Sequence, residues 1–107
     1  NPEEEKFLVR LFDIAEDKLT DKNFNIERLG RDMGISRPQL YRKMMSITGL
    51  SPNGFIRNLR MQKAFSLIRK KQYNISEIAL EVGINNPSYF SKCFQEKFGI
   101  KPSKIAL

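Results

Sequence analysis

The sequence predicts an all-α fold in which one small two-helix unit occurs twice and a long helix joins the copies. Apolar residues recur at helical spacing in successive segments. Capping residues, prolines and glycines punctuate that pattern where helices must start and stop. The repeat itself is explicit. Asn25-Ile26, Leu29-Gly30, Met33-Gly34-Ile35-Ser36, Pro38, Leu40, Met44 and Gly49 to Pro52 return as Asn74-Ile75, Ile78-Ala79, Val82-Gly83-Ile84-Asn85, Pro87, Phe90, Phe94 and Gly99 to Pro102. The offset is 49 residues up to the glycine turn and 50 from Leu40/Phe90 onward, because the second turn is one residue longer.

The first helix is capped by Asn1, with Pro2 in its first turn and Glu3, Glu4 and Glu5 at its positive end. Phe7, Leu8, Leu11, Phe12, Ile14, Ala15 and Leu19 form its wide apolar face. Its acidic start predicts a packing helix that faces away from any polyanion. Thr20 to Phe24 is a polar connection. Asn25 caps the second helix, striped by Ile26, Leu29 and Met33 and ended by Gly34. Ser36-Arg37-Pro38-Gln39 reads as a capping box that opens a third helix running to about Thr48. Ser51-Pro52 starts a helix to about Lys71, roughly 30 Å long at 1.5 Å per residue. Phe55, Ile56, Leu59, Ala64, Phe65, Leu67 and Ile68 make it apolar on several sides, as a sandwiched helix is. Asn74 and Glu77 open the second unit, Asn86-Pro87 starts its second helix, and Ser103 to Leu107 begins a final, truncated helix. The boundaries are residues 1–51 for the first subdomain, 52–72 for the linker helix and 73–107 for the second subdomain.

The net charge of +7 is unevenly spread. Residues 1–27 hold eight acids and four bases, a balance of −4; residues 28–107 hold fifteen bases and four acids, a balance of +11. Between Asp32 and Glu77 stand nine Lys/Arg and no acid. A one-signed stretch of that length favours a polyanionic partner. The 107 residues contain no His and one Cys, so a His triad, a Cys/His zinc site and an internal disulfide are excluded. A reducing cytoplasm is compatible, and no cofactor is called for. No apolar run reaches membrane-spanning length. The chain opens on Asn1 rather than Met, which predicts a fragment of a longer protein.

Each copy has the demands of a helix-turn-helix. The bracing helix needs a small residue at the crossing (Gly30, Ala79), and the turn needs positive φ (Gly34, Gly83). A hydrophobe plugs the corner (Ile35, Ile84). Stepping 100° per residue, Leu40, Met44 and Ile47 point inward. Pro38, Arg42, Met45 and Ser46 point outward, with Gln39 beside them and Arg37 at the helix start. In the second copy Phe90, Phe94 and Phe98 point inward, while Ser88, Lys92, Gln95 and Glu96 point outward, flanked by Asn86 and Tyr89. Arg and Gln pair with guanine and adenine edges, and Lys reaches guanine or phosphate.

These residues resemble the DNA-binding domain of AraC/XylS-type transcription regulators over about Phe24 to Pro102. The signature is Ile75-x-x-Ile78-Ala79-x-x-Val82-Gly83-Ile84-x-x-Pro87-x-Tyr89-Phe90-Ser91-Lys92-x-Phe94-x-x-x-Phe98-Gly99-x-x-Pro102. Its counterpart is Ser36-Arg37-x-x-Leu40-Tyr41-Arg42-Lys43-Met44 with Thr48-Gly49-x-Ser51-Pro52. The resemblance implies seven helices in two homeodomain-like helix-turn-helix subdomains. It implies sequence-specific binding of double-stranded DNA, with both recognition helices in the major groove. It carries base reading onto Pro38, Gln39, Tyr41 and Arg42, joined by Arg37, and onto Asn86, Ser88, Tyr89 and Lys92. Ser36, Lys43, Arg57, Arg60 and Gln95 are the candidates for the DNA backbone. Pro38 offers only apolar contact, and Lys92 stands where many relatives carry Arg. Tyr41 and Tyr89 fit phosphate contact or half-buried packing equally; Arg60 fits a phosphate or an internal acid. The family often fuses this domain to a sensor or receiver domain, and neither is present in these residues. The rivals are a helical protein-interaction module, which gives no reason for a cation central to both outer faces, and RNA binding, which wants exposed aromatics where these Phe residues keep core spacing. An enzyme would have only scattered carboxylates to work with.

Overall fold

The computed structural model describes residues 1–105. Among them are six α-helices: α1 (Pro2–Lys18), α2 (Ile26–Met33), α3 (Arg37–Thr48), α4 (Pro52–Lys70), α5 (Ile75–Glu81) and α6 (Pro87–Phe98). The starts follow the sequence. Asn1, Asn25, Ser51, Asn74 and Asn86 each accept a backbone N–H from the first helical turn, 2.8–3.1 Å away. The seventh helix is a correction. Pro102–Lys104 form a single 3-10 turn without a side-chain cap. A three-residue stretch suits the tighter i→i+3 bond better than an α-turn. The remainder of that predicted helix, residues 106 and 107, lies outside the described residues.

Two cores form, and α4 serves both. Leu11, Ala15, Leu29, Leu40 and Met44 from α1–α3 close on Phe55 and Ile56 at the start of α4. Met61, Ala64, Leu67 and Ile68 from its later turns close with Ile78, Ala79, Val82, Phe90 and Phe94. The apolar surface of α4 thus changes side along its length, which explains why the sequence made it apolar nearly all round. The protein is elongated as a result, 41 × 25 × 20 Å.

The two units repeat in backbone detail. After α2, Gly34 (φ 73°) donates to Arg31 and Ile35 donates to Gly30 over 3.0 Å. After α5, Gly83 (φ 84°) donates to Leu80 and Ile84 donates to Ala79 over 2.8 Å. A Cβ on Gly30 would stand 3.2 Å from the Ile35 carbonyl oxygen, so the crossing does select a small residue there.

Candidate nucleic-acid interface

The first turn of α3 is a closed capping box. Gln39 N–H donates to Ser36 Oγ (3.3 Å), and Ser36 N–H donates to Gln39 Oε1 (3.1 Å). Gln39 therefore spends its carbonyl oxygen on the helix start, and its amide NH2 is the group left for a partner. Asn86 is similarly occupied, with Oδ1 accepting from Tyr89 N–H at 3.1 Å. Leu40 and Met44 are fully buried beneath α3, and Phe90 and Phe94 beneath α6. That fixes the rotation of both helices.

Burial below turns the predicted readers outward above. Arg37, Pro38, Gln39, Tyr41, Arg42, Asn86, Ser88, Tyr89 and Lys92 are all solvent-exposed, as are Ser36, Lys43, Arg57 and Gln95. Tyr41 is 51% and Tyr89 49% exposed, so about half of each side chain is packed and half is open to a partner. Lys43 lies over the Phe7 ring with Nζ 5.4 Å from its centroid, tying the flank of α3 to α1. The aromatics at 90, 94 and 98 pack on one another and on Phe65, with ring centroids 4.6–6.3 Å apart. They are core, and no stacking platform for bases exists there.

Arg60 differs from the other candidates. It is half-buried, and its Nε and Nη2 are enclosed without a hydrogen-bond partner. Burial lowers its pKa, opposed by the charge of Asp21 and by Tyr89. No acid among the described residues bonds to it. The Asp21 carboxylate is held below its usual range by the Asn23 amide (2.8 Å) and by Arg28 (3.0 Å). Arg60 lines a cleft of about 400 Å³ between the two units, with Asn25, Asn53, Arg57, Ile84 and Tyr89 among its walls. Sequence reasoning missed Asn53 and the cleft, because both arise from how the units meet across α4.

The acidic start of α1 also departs from expectation. Asn1, Glu3 and Glu4 line a cavity of about 330 Å³ together with Arg42, Lys43 and Ser46, so this end flanks the basic face of α3 instead of lying remote from it. Phe7 anchors it there, because the apolar face of α1 can be buried only against α2–α4.

Two capped helices with exposed basic faces, each braced across a glycine turn, define a tandem helix-turn-helix protein of the DNA-binding class. A family model described as a helix-turn-helix domain matches residues 29–106. The chain belongs to the AraC-type helix-turn-helix family, a family of DNA-binding domains of transcription regulators and not an enzyme class. It is 38% identical over 101 residues to histidine kinase P4 of Formosa agariphila, covering 94% of this chain and 7% of that protein. It is 33% identical to the HTH-type transcriptional regulator MtrA of Neisseria gonorrhoeae, covering 94% of this chain and 33% of that one. The chain thus spans a third or less of these relatives. Among solved structures, the DNA-binding domain of AdpA in complex with a target DNA superposes with a TM-score of 0.83 at 25% identity, covering 90% of this chain and 86% of that one. The C-terminal domain of the response regulator yesN from Fusobacterium nucleatum gives 0.83 at 26% identity, covering 88% and 91%.

Proposed function

We propose that this chain reads two different short DNA elements in successive major grooves, as the output domain of a larger signalling protein. The observation that carries the reading is that α3 and α6 pack on different stretches of the 19-residue helix α4, around Phe55 and Ile56 and around Met61 to Ile68 respectively, each with one cation central to its exposed face. In this reading residues 1–51 and 73–107 are the two DNA-binding subdomains and 52–72 join them. Arg42 and the Gln39 amide read bases in the first groove, with Arg37 at the helix start and Pro38 and Tyr41 in apolar contact. Lys92, Ser88, Tyr89 and Asn86 serve the second groove. Ser36, Lys43, Arg57 and Gln95 hold phosphates and set register. The match to 7% of a histidine kinase, and to the C-terminal domain of a response regulator, supports fusion to a sensor or receiver domain acting in the cytoplasm. No helix among the described residues is long and apolar enough to cross a membrane.

Spacing tests this. A stiff α4 about 30 Å long matches elements about one helical turn, or 10 bp, apart. Inserting about 5 bp turns one element to the far side of the duplex, and one subdomain loses its bases. On the sequence selected from a random pool, binding should drop to the level of a single element. Undiminished affinity after the insertion would defeat the two-groove reading.

A further inference from the structure

The cleft between the two units is lined by a half-buried guanidinium that bonds to no acid among the described residues. Arg60 rises from the middle of α4 beneath the turn of the second unit, where a Cβ on Gly83 would stand 3.3 Å from its Cζ and Nη2. Nε and Nη2 are shut in without acceptors, and Nη1 is the guanidinium nitrogen not enclosed in this way. No acid lines the cleft; Arg57 does, together with the Asn53 and Asn25 amides and Tyr89. The acid whose charge reaches Arg60 is Asp21, already committed to Arg28 and the Asn23 amide. Nη1 is thus the nitrogen Arg60 offers to the cleft, and beside the Arg57 guanidinium it makes a site of two positive charges that suits an oxyanion. Phosphate is the oxyanion of that kind that a concave, two-arginine site suits.

The walls of the cleft say where such a phosphate comes from. They are drawn from the connection before α2, from α4, and from the first turn of α6. A strand passing from the groove held by α3 to the groove held by α6 must cross α4 between them. We propose that the cleft is a phosphate seat for that strand, with Arg60 and Arg57 as the charged donors and Asn53 as a neutral one. This rests on the two-groove reading above and adds to it a single privileged phosphate. A surface lysine exchanges one hydrated environment for another when DNA arrives. A surface lysine must also be immobilised, whereas the Arg60 guanidinium is already held beneath Gly83 with Nη1 left open, so this one phosphate outweighs its neighbours.

A methylphosphonate scan across the spacer of the selected site tests the seat. Neutralising the phosphate opposite the cleft should weaken binding about 10-fold or more, against about 2-fold to 5-fold elsewhere in the spacer. Arg60→Gln should abolish that extra sensitivity, so that the two losses do not add. Asn53→Asp, at an exposed position, covers the case of an Arg60 variant that folds poorly. It should weaken binding on the charged backbone and much less on the neutral one. Tight binding with no privileged phosphate, or losses that add fully, overturns the seat and leaves the DNA-reading function standing. Failure to select any DNA defeats both. A second arm separates the sources of phosphate: inorganic phosphate is titrated against chloride at matched ionic strength while thermal unfolding is followed. A phosphate-specific rise in Tm that Arg60→Gln removes, beside a flat scan, assigns the seat to a free anion and overturns the strand as its occupant.

Discussion

In the first helix-turn-helix unit the glycine of the turn faces open space; in the second it is pressed against another part of the chain. A Cβ on Gly34 would meet nothing within 4 Å, whereas one on Gly83 would come within 2.7 Å of the Leu19 carbonyl oxygen. The side chains diverge as well. The first unit is packed mainly with Leu, Ile and Met beside a single ring pair, Phe12–Phe55, and its surface carries the ion pairs Lys18–Asp32 (2.9 Å) and Arg28–Asp21 (3.0 Å). The second is packed with Phe65, Phe90, Phe94 and Phe98 in mutual ring contact. One backbone plan therefore tolerates two kinds of cohesion. The demands common to both are small: caps, a compact residue at the crossing, positive φ in the turn and an apolar plug.

The largest expected difference between the units is in their cores. Phe94→Ala removes a fully buried ring with three aromatic neighbours and should cost about 3–5 kcal/mol. Met44→Ala, equally buried but flexible, should fall near the lower end of about 2–5 kcal/mol. Urea unfolding of both variants measures this. If Met44→Ala costs the same or more, the aromatic cluster gives the second unit no extra cohesion.

The turns come next. Gly34→Ala meets only the left-handed backbone penalty, about 1–2 kcal/mol. Gly83→Ala adds a clash with a main-chain oxygen and with Arg60, which should raise the cost by about a further 1–3 kcal/mol. Thermal unfolding separates the two, since 1 kcal/mol moves Tm by about 4–8 °C in a domain of this size. Equal shifts would mean that the units do not press on each other at Leu19.

On DNA the ranking reverses and the first unit should dominate. Arg42 can engage guanine through two parallel bonds, whereas the Lys92 ammonium is a point charge. Arg42→Ala should cost about 1–3 kcal/mol and relax preference at one or two base pairs; Lys92→Ala should cost about 1 kcal/mol or less, with little change in preference. Lys92→Arg sharpens the comparison if it strengthens selection for guanine in the second element. Selection profiles that shift equally for the two alanine variants would place both helices in the same kind of contact.

The helices, their caps and the doubled unit were legible because each is fixed by residues a few positions apart. Ser36 with Gln39, Asn74 with Glu77 and Gly34 with Ile35 report local geometry that no tertiary contact needs to supply. The exposure of Arg42 and Lys92 was legible for the same reason, as the far side of Leu40/Met44 and Phe90/Phe94. What stayed hidden depends on how distant segments meet. The burial of Arg60 follows from Gly83 and Leu19 converging on α4, and the nearness of Glu3 and Glu4 to Arg42 follows from how α1 packs. The double duty of Gln39 and Asn86 was half legible: the capping pattern and the base-reading pattern fall on the same residues, and sequence does not say that the cap claims the oxygen.

The smallest expected effect concerns acid, and it separates the units by the charge each relies on. The folded pKa of Asp21 lies below its ordinary value of 3.8, first through the Asn23 amide and then through Arg28. A depressed carboxyl stabilises the fold above its unfolded pKa, and that contribution is lost as pH falls through the folded value. Protonation therefore loosens the connection between α1 and α2 while leaving the phenylalanine core, which holds no carboxyl group, untouched. Between about pH 5 and pH 2, amide exchange should quicken at Asn23 and in the first turn of α2 before it quickens in α6. The pair is only half-buried, so the change should be slight in global stability and visible mainly residue by residue. Asp21→Asn should remove the pH dependence at this place while lowering stability a little at neutral pH. If α6 loosens at the same pH as α2, the two units share one cooperative response to acid, and the contrast between an ion-paired unit and an aromatic one does not extend to how they unfold.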